Sequence, residues 1–276
     1  MLVEINEADT GITNSCKIIM VTSCKGGVGK STVAANLGIR LAYDGYKTLI
    51  LDCDFGVRSL DLIMGLEDNV IYDISDIILR DVDPEKVIVS DERSENLFFC
   101  AAPYSNVEHI EKDQFKDAIE KINLKMSFDY IIIDTPGDIG LPFELATSVS
   151  DIALVISTYQ PASLRAAERT GIMLTEKGVE ERKLIINCFE KKAAENDDTP
   201  GLLDIIDRTC IQLIGIIPYD TDLMNYQARG EDVFSIGKAN CAVAFVNIAK
   251  RLNGRNIPLF SGFRRTSRIP LIRKIQ

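Results

Sequence analysis

Apolar residues in this chain recur in two patterns that alternate along its length. Short continuous runs predict buried β-strands, and apolar residues at helical spacing predict helices between them, as Val33, Leu37 and Leu41 do. This alternation favours an α/β fold, a doubly wound and mostly parallel sheet with helices on both faces. The predicted strands span residues 18–21, 48–51, 97–101, 130–133, 151–157 and 183–187. Helices are predicted from 31 to the Asp44-Gly45 pair, over 74–81, around Phe115, Ile119 and Ile122, from 160 onward, and over 241–252.

A glycine-dense segment follows the first predicted strand. It reads C-K-G-G-V-G-K-S-T from Cys24, and the helical pattern begins at Ser31. The order strand, loop, helix is typical of a phosphate-binding loop, in which backbone N–H groups at a helix N-terminus cradle phosphate oxygens. We expect Lys30 to reach the β- and γ-phosphates and the Ser31 hydroxyl to hold Mg²⁺. The residues predicted to contact nucleotide are Gly26, Gly27, Val28, Gly29, Lys30, Ser31 and Thr32. The strict motif G-x-x-x-x-G-K-[ST] has glycine where Cys24 stands, and the alternative is a glycine-rich turn that binds nothing.

Acidic residues stand where two of the predicted strands end. Asp52 and Asp54 follow the strand at 48–51, and Asp134 follows the strand at 130–133. The carboxyl ends of parallel strands line the ligand crevice of such sheets. Asp54 is the candidate for orienting an attacking water, Asp134 for binding Mg²⁺ through water, and Asp52 for supporting the metal's coordination shell. The alternative for Asp52 and Asp54 is that they only cap the turn that follows.

Charge is distributed unevenly. The net charge is −10, yet residues 251–276 hold seven basic residues and no acidic one, so the other 250 residues carry −17. The acidic body argues against nucleic acid as a partner, whereas the basic tail suggests an anionic surface. From 257 onward the tail also contains apolar residues, a mixture that can bind an anionic membrane. Pro270 prevents one continuous helix there, and the alternative is a tail that is disordered or packed on the body.

Composition excludes several classes of function. No apolar run has the length of a transmembrane helix, and the acidic N-terminus does not resemble a signal peptide. The single histidine, His109, excludes histidine-based triads and histidine-rich metal sites. Seven cysteines without a C-x-x-C pair fit reduced thiols in a cytoplasm and argue against iron–sulfur-carrying proteins. The sequence therefore predicts an extension at 1–16, one domain with the phosphate-binding loop at 17–252 and a tail at 253–276.

Several of these segments resemble one known family. Lys25 followed by G-G-V-G-K-S-T resembles the deviant Walker A loop of the MinD/ParA superfamily of dimerising ATPases. The segment D-C-D-F-G-V-R-S-L-D-L-I-M-G at 52–65 resembles the MinD branch of that superfamily. The resemblance implies that Lys25 is catalytic and reaches across a dimer interface to the partner's nucleotide phosphates; the alternative is a solvated loop lysine. The segment D-T-P-G at 134–137 resembles a switch loop that senses the γ-phosphate, although Asp138 stands where MinD proteins have glycine.

The same resemblance indicates which base is bound. It implies that Asn187 reads the adenine edge and that Pro218, in the G-x-I-P-x-D-like segment at 215–220, offers backbone contacts to adenine. Guanine-specific proteins carry N-K-x-D, which the residues N-C-F-E at 187–190 do not match. The expected cofactors are therefore ATP and Mg²⁺.

As a MinD-like protein, the chain is expected to be an Mg-dependent ATPase that forms a homodimer with ATP. The resemblance further implies that its tail binds the inner face of the cell membrane from the cytoplasm, and that it regulates division-site placement with a partner of the MinC or MinE type. Two alternatives stay open. One is a ParA-like ATPase that partitions DNA, and the other is a MinD paralogue that controls flagellar number or pilus assembly.

Overall fold

A single sheet organises the computed structural model, which describes residues 16–105, 109–190, 202–236 and 239–259. Within those residues the strands are β1 (Lys17–Thr22), β2 (Thr48–Asp52), β3 (Val89–Ser90), β4 (Leu97–Cys100), β5 (Tyr130–Asp134), β6 (Ile152–Ser157), β7 (Glu181–Phe189) and β8 (Gln212–Pro218). Their spatial order is β3-β4-β2-β5-β1-β6-β7-β8. All neighbouring strands pair in parallel except β3, which is antiparallel to β4. This confirms the predicted mostly parallel α/β sheet.

Helices connect the strands. They are α1 (Lys30–Tyr43), α2 (Leu60–Met64), α3 (Ile74–Arg80), α4 (Pro84–Val87), α5 (Lys112–Met126), α6 (Leu141–Val149), α7 (Pro161–Glu176), α8 (Leu202–Thr209), α9 (Thr221–Gln227) and α10 (Asn240–Leu252). Short 3₁₀ turns occur at Glu67–Asn69 and Val233–Ile236. Among the described residues, no helix is both long and apolar enough to cross a bilayer.

The central strands are buried on both faces, which explains why they are continuous apolar runs rather than alternating ones. One face packs against α1 and α10, through residues such as Leu37 and Phe245. The other face packs against α5, α6 and α7, through residues such as Phe115, Phe143 and Leu164. Helices cover both faces of the sheet but not its carboxyl edge. The strand order reverses at β1, which lies between β5 and β6, and in sheets of this kind a ligand binds at the carboxyl ends of the strands at such a point.

The end of α10 lies at the opposite, amino edge of the sheet. Tyr130, the first residue of β5, donates its hydroxyl to Asn253 Oδ1 at 2.7 Å. Arg251 donates to the backbone oxygens of Ile214, Ile257 and Pro258, each at 2.8 Å. Ile214 lies near the start of β8, so these bonds fix residues 257 and 258 at the amino edge.

Some predictions need correction. The strand predicted third is the fourth in chain order, because the two-residue strand β3 precedes it. The strand predicted at 183–187 extends over Glu181–Phe189. Helices α2, α4, α6, α8 and α9 were not predicted. Residues 1–15 of the predicted extension and residues 260–276 of the predicted tail lie outside the described residues.

Candidate nucleotide-binding site

The loop between β1 and α1 has the geometry of an anion site. Gly27 and Gly29 adopt left-handed φ values of +74° and +91°, a conformation that glycine reaches without steric cost. α1 begins directly after Gly29 with no side-chain cap and no acidic residue in its first turn. The first N–H groups of a helix lack partners within it, and the helix dipole favours an anion there. No atom lies within 4 Å of the positions that Cβ atoms on Gly26 and Gly27 would occupy, so the outer face of the loop is open.

Lys30 lies beneath this loop, only 8% exposed, and the segment after β5 closes over it. A Cβ atom on Gly137 would lie 3.0 Å from Gly26 N and 3.3 Å from Lys30 Nζ. Only glycine therefore allows this segment to approach the loop so closely. Asp138, the residue after Gly137, is exposed, and its charge raises the pKa of Asp54.

Asp134 ends β5 in full burial, and among the described residues neither of its carboxylate oxygens accepts a hydrogen bond. Burial raises the pKa of Asp134 well above its ordinary value of 3.8, and repulsion from Asp52 adds to the rise. The Ser31 hydroxyl and the Lys30 ammonium group oppose this pKa shift, although Ser31 does not complete a hydrogen bond to either oxygen. An unpaired buried carboxylate is costly, and a hydroxyl oxygen and a carboxylate are ligands that Mg²⁺ accepts. Asp134 and Ser31 therefore fit a magnesium ion.

Asp52 lies beside Asp134 in the register of β2 and β5. Its two carboxylate oxygens accept hydrogen bonds from Asp54 N at 2.8 Å and from Leu60 N at 3.3 Å. Burial raises the pKa of Asp52 to about 7, against the opposing effect of these two bonds. Asp52 thus holds the turn that carries Asp54 and the start of α2, which is the capping role considered as its alternative. Its support of the metal stays a prediction.

Asp54 lies half-buried at the edge of this cluster. Burial raises the pKa of its carboxyl group, the Lys30 charge lowers it and the Asp138 charge raises it. Asp54 follows the carboxyl end of β2, where the charge of Lys30 acts on it. A carboxylate there is placed to accept a hydrogen bond from a water near the phosphates.

The start of the loop carries Lys25, which is partly exposed. No acidic side chain in the described part of the chain lies within 4.0 Å of its ammonium group. Its backbone N–H donates to Ser23 Oγ at 3.2 Å, and the N–H of Cys24 donates to Thr170 Oγ1 at 3.1 Å. The backbone is held while the charged side chain is free to extend.

Asn187 braces the loop from the opposite side. Its Nδ2 donates to Val28 O at 2.8 Å, and it is almost completely buried. A Cβ atom on Gly29 would lie 2.3 Å from that nitrogen, so the contact requires glycine at 29. Asn187 and Pro218 lie at the carboxyl ends of the adjacent strands β7 and β8. The adenine contacts predicted for both stay predictions, and the loop contact of Asn187 is an additional role.

Sequence reasoning missed three contacts at this site. Thr170 holds Cys24, Gln227 Oε1 accepts from Thr32 Oγ1 at 3.4 Å, and the buried guanidinium group of Arg58 pairs with Asp61 at 2.6 Å. The bonds of Thr170 and Gln227 join segments that no motif links, whereas Arg58 and Asp61 both lie in the segment at 52–65. The one usable signal was Thr170, a polar residue on the apolar face of a predicted helix.

A glycine loop between a strand and a helix, with an unpaired aspartate at the end of a neighbouring strand, defines the class of P-loop nucleoside triphosphatases. The family model for ParA, described as "NUBPL iron-transfer P-loop NTPase", matches residues 14–253. The septum site-determining protein MinD of Bacillus subtilis is 34% identical over 244 residues, which cover 87% of this chain and 90% of the relative. MinD of Helicobacter pylori is 37% identical over 249 residues, 87% of this chain and 91% of the relative. The chain therefore belongs to the MinD/ParA family of P-loop NTPases, as the resemblance implied.

Solved structures agree with this assignment. The MinC:MinD cell division protein complex of Aquifex aeolicus matches with a TM-score of 0.82 and 34% identity, covering 88% of this chain and 98% of that chain. MinD of Pyrococcus horikoshii, complexed with Mg-ADP, matches with a TM-score of 0.75 and 24% identity, over 87% of this chain and 96% of that chain. The second match supports the fold alone.

Proposed function

We propose that this chain is a Mg-dependent ATPase that dimerises on binding ATP, binds the membrane and takes part in placing the division site. The catalytic part of this proposal rests on the carboxylate of Asp134, which is buried near Ser31 and accepts no hydrogen bond from the described residues. Its position explains why a fold would keep an unpaired carboxylate at the end of a central strand. The septum-site relatives, at 34% to 37% identity, support the cellular role.

Each residue of the site has a distinct part in hydrolysis. Backbone N–H groups from Gly26 to Thr32 cradle the phosphates, and the Lys30 ammonium group binds their β- and γ-oxygens. Ser31 and Asp134 hold the metal, which when bound neutralises charge on those oxygens. Asp54 accepts a hydrogen bond from the attacking water and positions it, so the chain contributes orientation and electrostatics rather than a covalent intermediate.

The proposed dimer depends on the Lys25 ammonium group, which has no acidic partner among the described residues. In this proposal Lys25 extends from one protomer to the phosphates bound by the other, where the γ-phosphate adds negative charge that ADP lacks. ATP then stabilises the closed dimer more than ADP does, because the two nucleotides differ in their interaction with it.

The tail supplies the membrane contact. Residues 251–276 hold seven basic residues and no acidic one, interspersed with apolar residues. Basic groups meet anionic headgroups while apolar groups enter the acyl boundary. One such tail binds weakly and two in a dimer bind far better, because the second binding event is intramolecular. The protein is then peripheral on the cytoplasmic face of the membrane.

The proposed protein partner is of the MinC or MinE type, supported by the 34% identity to the MinD chain of the Aquifex aeolicus complex. The partition alternative has weaker support. Plasmid partition proteins of Borrelia burgdorferi match at 20% to 22% identity, which supports the fold alone, and the acidic body disfavours DNA.

Co-sedimentation with anionic liposomes tests this proposal as a whole. We expect the protein to sediment with Mg-ATP and to stay in the supernatant with Mg-ADP or with zwitterionic liposomes. Sedimentation that is independent of the nucleotide would refute the link between ATP and the membrane. A salt-sensitive, ATP-dependent shift of DNA would favour the partition alternative instead.

A further inference from the structure

The start of the phosphate loop is held by a residue from outside the loop. β1 ends at Thr22 and α1 begins at Lys30, so the backbone N–H groups between them need other partners. The N–H of Cys24 donates to Thr170 Oγ1 at 3.1 Å, across 146 residues of sequence. The donor of this bond, Cys24, directly precedes Lys25 in the chain.

Thr170 is a rigid acceptor for that bond. It lies on α7 with no exposed surface, and its hydroxyl donates to Ala166 O at 2.8 Å. A hydroxyl has one proton, so with that proton directed at the helix only a lone pair remains for Cys24. Leu164 and Ala167, both fully buried, fix α7 against the sheet. The position of Cys24 is therefore set by the position of α7.

The end of the loop has a separate support. Asn187 Nδ2 holds Val28 O at 2.8 Å, and the helical bond from Val33 N to Gly29 O follows at 3.0 Å. Loss of the Thr170 hydroxyl should therefore release the backbone N–H of Cys24, and leave the bond from Lys25 N to Ser23 Oγ as the remaining hold on the peptide before Lys25. It should leave in place the part of the proposed phosphate cradle from Val28 onward, which these separate bonds hold.

We propose that Thr170 is a positioning residue for Lys25. By fixing the preceding peptide, it limits the directions in which the Lys25 side chain leaves the loop, and so favours the geometry that reaches a partner's phosphates. This inference rests on the proposed function, in which Lys25 acts across the dimer. It predicts that Thr170 affects dimerisation while nucleotide binding by the monomer is preserved.

The test compares Thr170→Val, which replaces the hydroxyl by a methyl group of similar size, with Thr170→Ser, which keeps it. Dimerisation is measured by analytical ultracentrifugation with a non-hydrolysable ATP analogue, and monomer binding by titration with Mg-ADP. We expect Thr170→Val to weaken dimerisation measurably and by no more than about tenfold per protomer, because the net contribution of one ordinary hydrogen bond sets the upper limit. Mg-ADP affinity should match wild type, and Thr170→Ser should restore dimerisation. In a Lys25→Ala background, Thr170→Val should have no further effect, because the two residues act as one unit.

Three results would each overturn the inference. Thr170→Val could dimerise like wild type, or it could weaken dimerisation just as much when Lys25 is already alanine. It could also lose Mg-ADP affinity by the same factor as it loses dimerisation. A wild-type chain that stays monomeric with the analogue refutes the proposed function, and the role of Lys25 with it. Amide hydrogen exchange at Cys24 in the wild-type protein needs no variant. Slow exchange supports the bond to Thr170, and exchange at the rate of an open loop contradicts it even if Thr170→Val does not fold.

Discussion

The substitution Asp134→Asn tests whether the carboxylate at the end of β5 is retained for a cation. The side chain has no exposed surface, its two oxygens accept no hydrogen bond from the described residues, and Asp52 lies beside it in register. Asparagine keeps the shape and removes the charge. We therefore expect the nucleotide-free, metal-free variant to be more stable than wild type, although most substitutions at buried positions destabilise.

Asparagine leaves an equally unsatisfied polar group, so the gain comes from removing the charge: about 1.4 kcal/mol in free energy of unfolding for each pH unit between the unfolded-state and folded-state pKa values of Asp134. Its pH dependence has a definite sign. The pKa of Asp134 in the folded state is raised well above its ordinary 3.8, so the folded state binds the proton more tightly than the unfolded state. The wild-type protein therefore loses stability as pH rises above 3.8, until the pH passes the folded-state pKa. The gain from Asp134→Asn should be largest at alkaline pH and absent below about pH 3.8.

Urea unfolding at pH 8 measures this difference, once with EDTA and without nucleotide, and once with Mg-ADP. A ligand at 100 times its dissociation constant adds about 2.7 kcal/mol to a protein that binds it. Wild type should gain that stabilisation and Asp134→Asn should not. With Mg-ADP present, the free energy of unfolding of wild type should therefore equal or exceed that of the variant.

Asp61→Asn is the matched control. Asp61 is equally buried, but it is paired with Arg58 at 2.6 Å and accepts from Leu62 N at 2.9 Å. The same substitution there should destabilise, because it leaves a buried guanidinium group without its counter-charge. If Asp134→Asn also destabilises the nucleotide-free protein, or still gains full stabilisation from Mg-ADP, the magnesium role of Asp134 is wrong.

Three further predictions concern the site and the tail. Lys30→Ala should abolish tight nucleotide binding, whereas Asp54→Ala should bind ATP but not hydrolyse it, because only water positioning is lost; phosphate release and nucleotide titration measure both. Lys25→Ala should weaken the ATP-dependent dimer of the Asp54→Ala protein, as measured by light scattering over a range of protein concentrations. Truncation after Asn256 should remove ATP-dependent sedimentation with anionic liposomes, and Ile272→Glu should weaken it.

Each of these has an outcome that contradicts it. Wild-type turnover by Asp54→Ala would remove its role in orienting water. A dimer that is unaffected by Lys25→Ala would leave that residue as a solvated loop lysine. Liposome binding that survives truncation would place the membrane contact elsewhere on the chain.

Much of the fold was predictable because a parallel sheet covered on both faces demands continuous apolar runs. The run at 130–133 is one, and it corresponds to β5. The strand β3 escaped prediction because Val89 and Ser90 are too few to show a period. Helix α2 escaped because its five residues follow a turn held by Asp52, a contact that depends on the tertiary structure.

The site was predictable where residues act within one motif, and not where distant segments meet. The glycines, Lys30 and the strand-end aspartates lie at the same edge of the sheet, and their roles in binding stay predictions. By contrast, Thr170 and Asn187 reach the loop from α7 and β7, so no local pattern could reveal those bonds. The close approach of Gly137 to Gly26 likewise appears only once β5 is placed beside β1.

The bonds of Arg251 and Asn253 have a consequence for how ATP would act on the membrane. They fix the start of the tail at one edge of the sheet, while the phosphates bind at the other, a strand length or about 17 Å away. The described start of the tail, at residues 257 and 258, therefore lies away from the nucleotide, and in the proposed mechanism ATP acts on membrane binding by setting how many tails one particle carries. A tandem fusion of two chains would then bind liposomes with no nucleotide present, because covalent linkage supplies the second tail that ATP otherwise recruits.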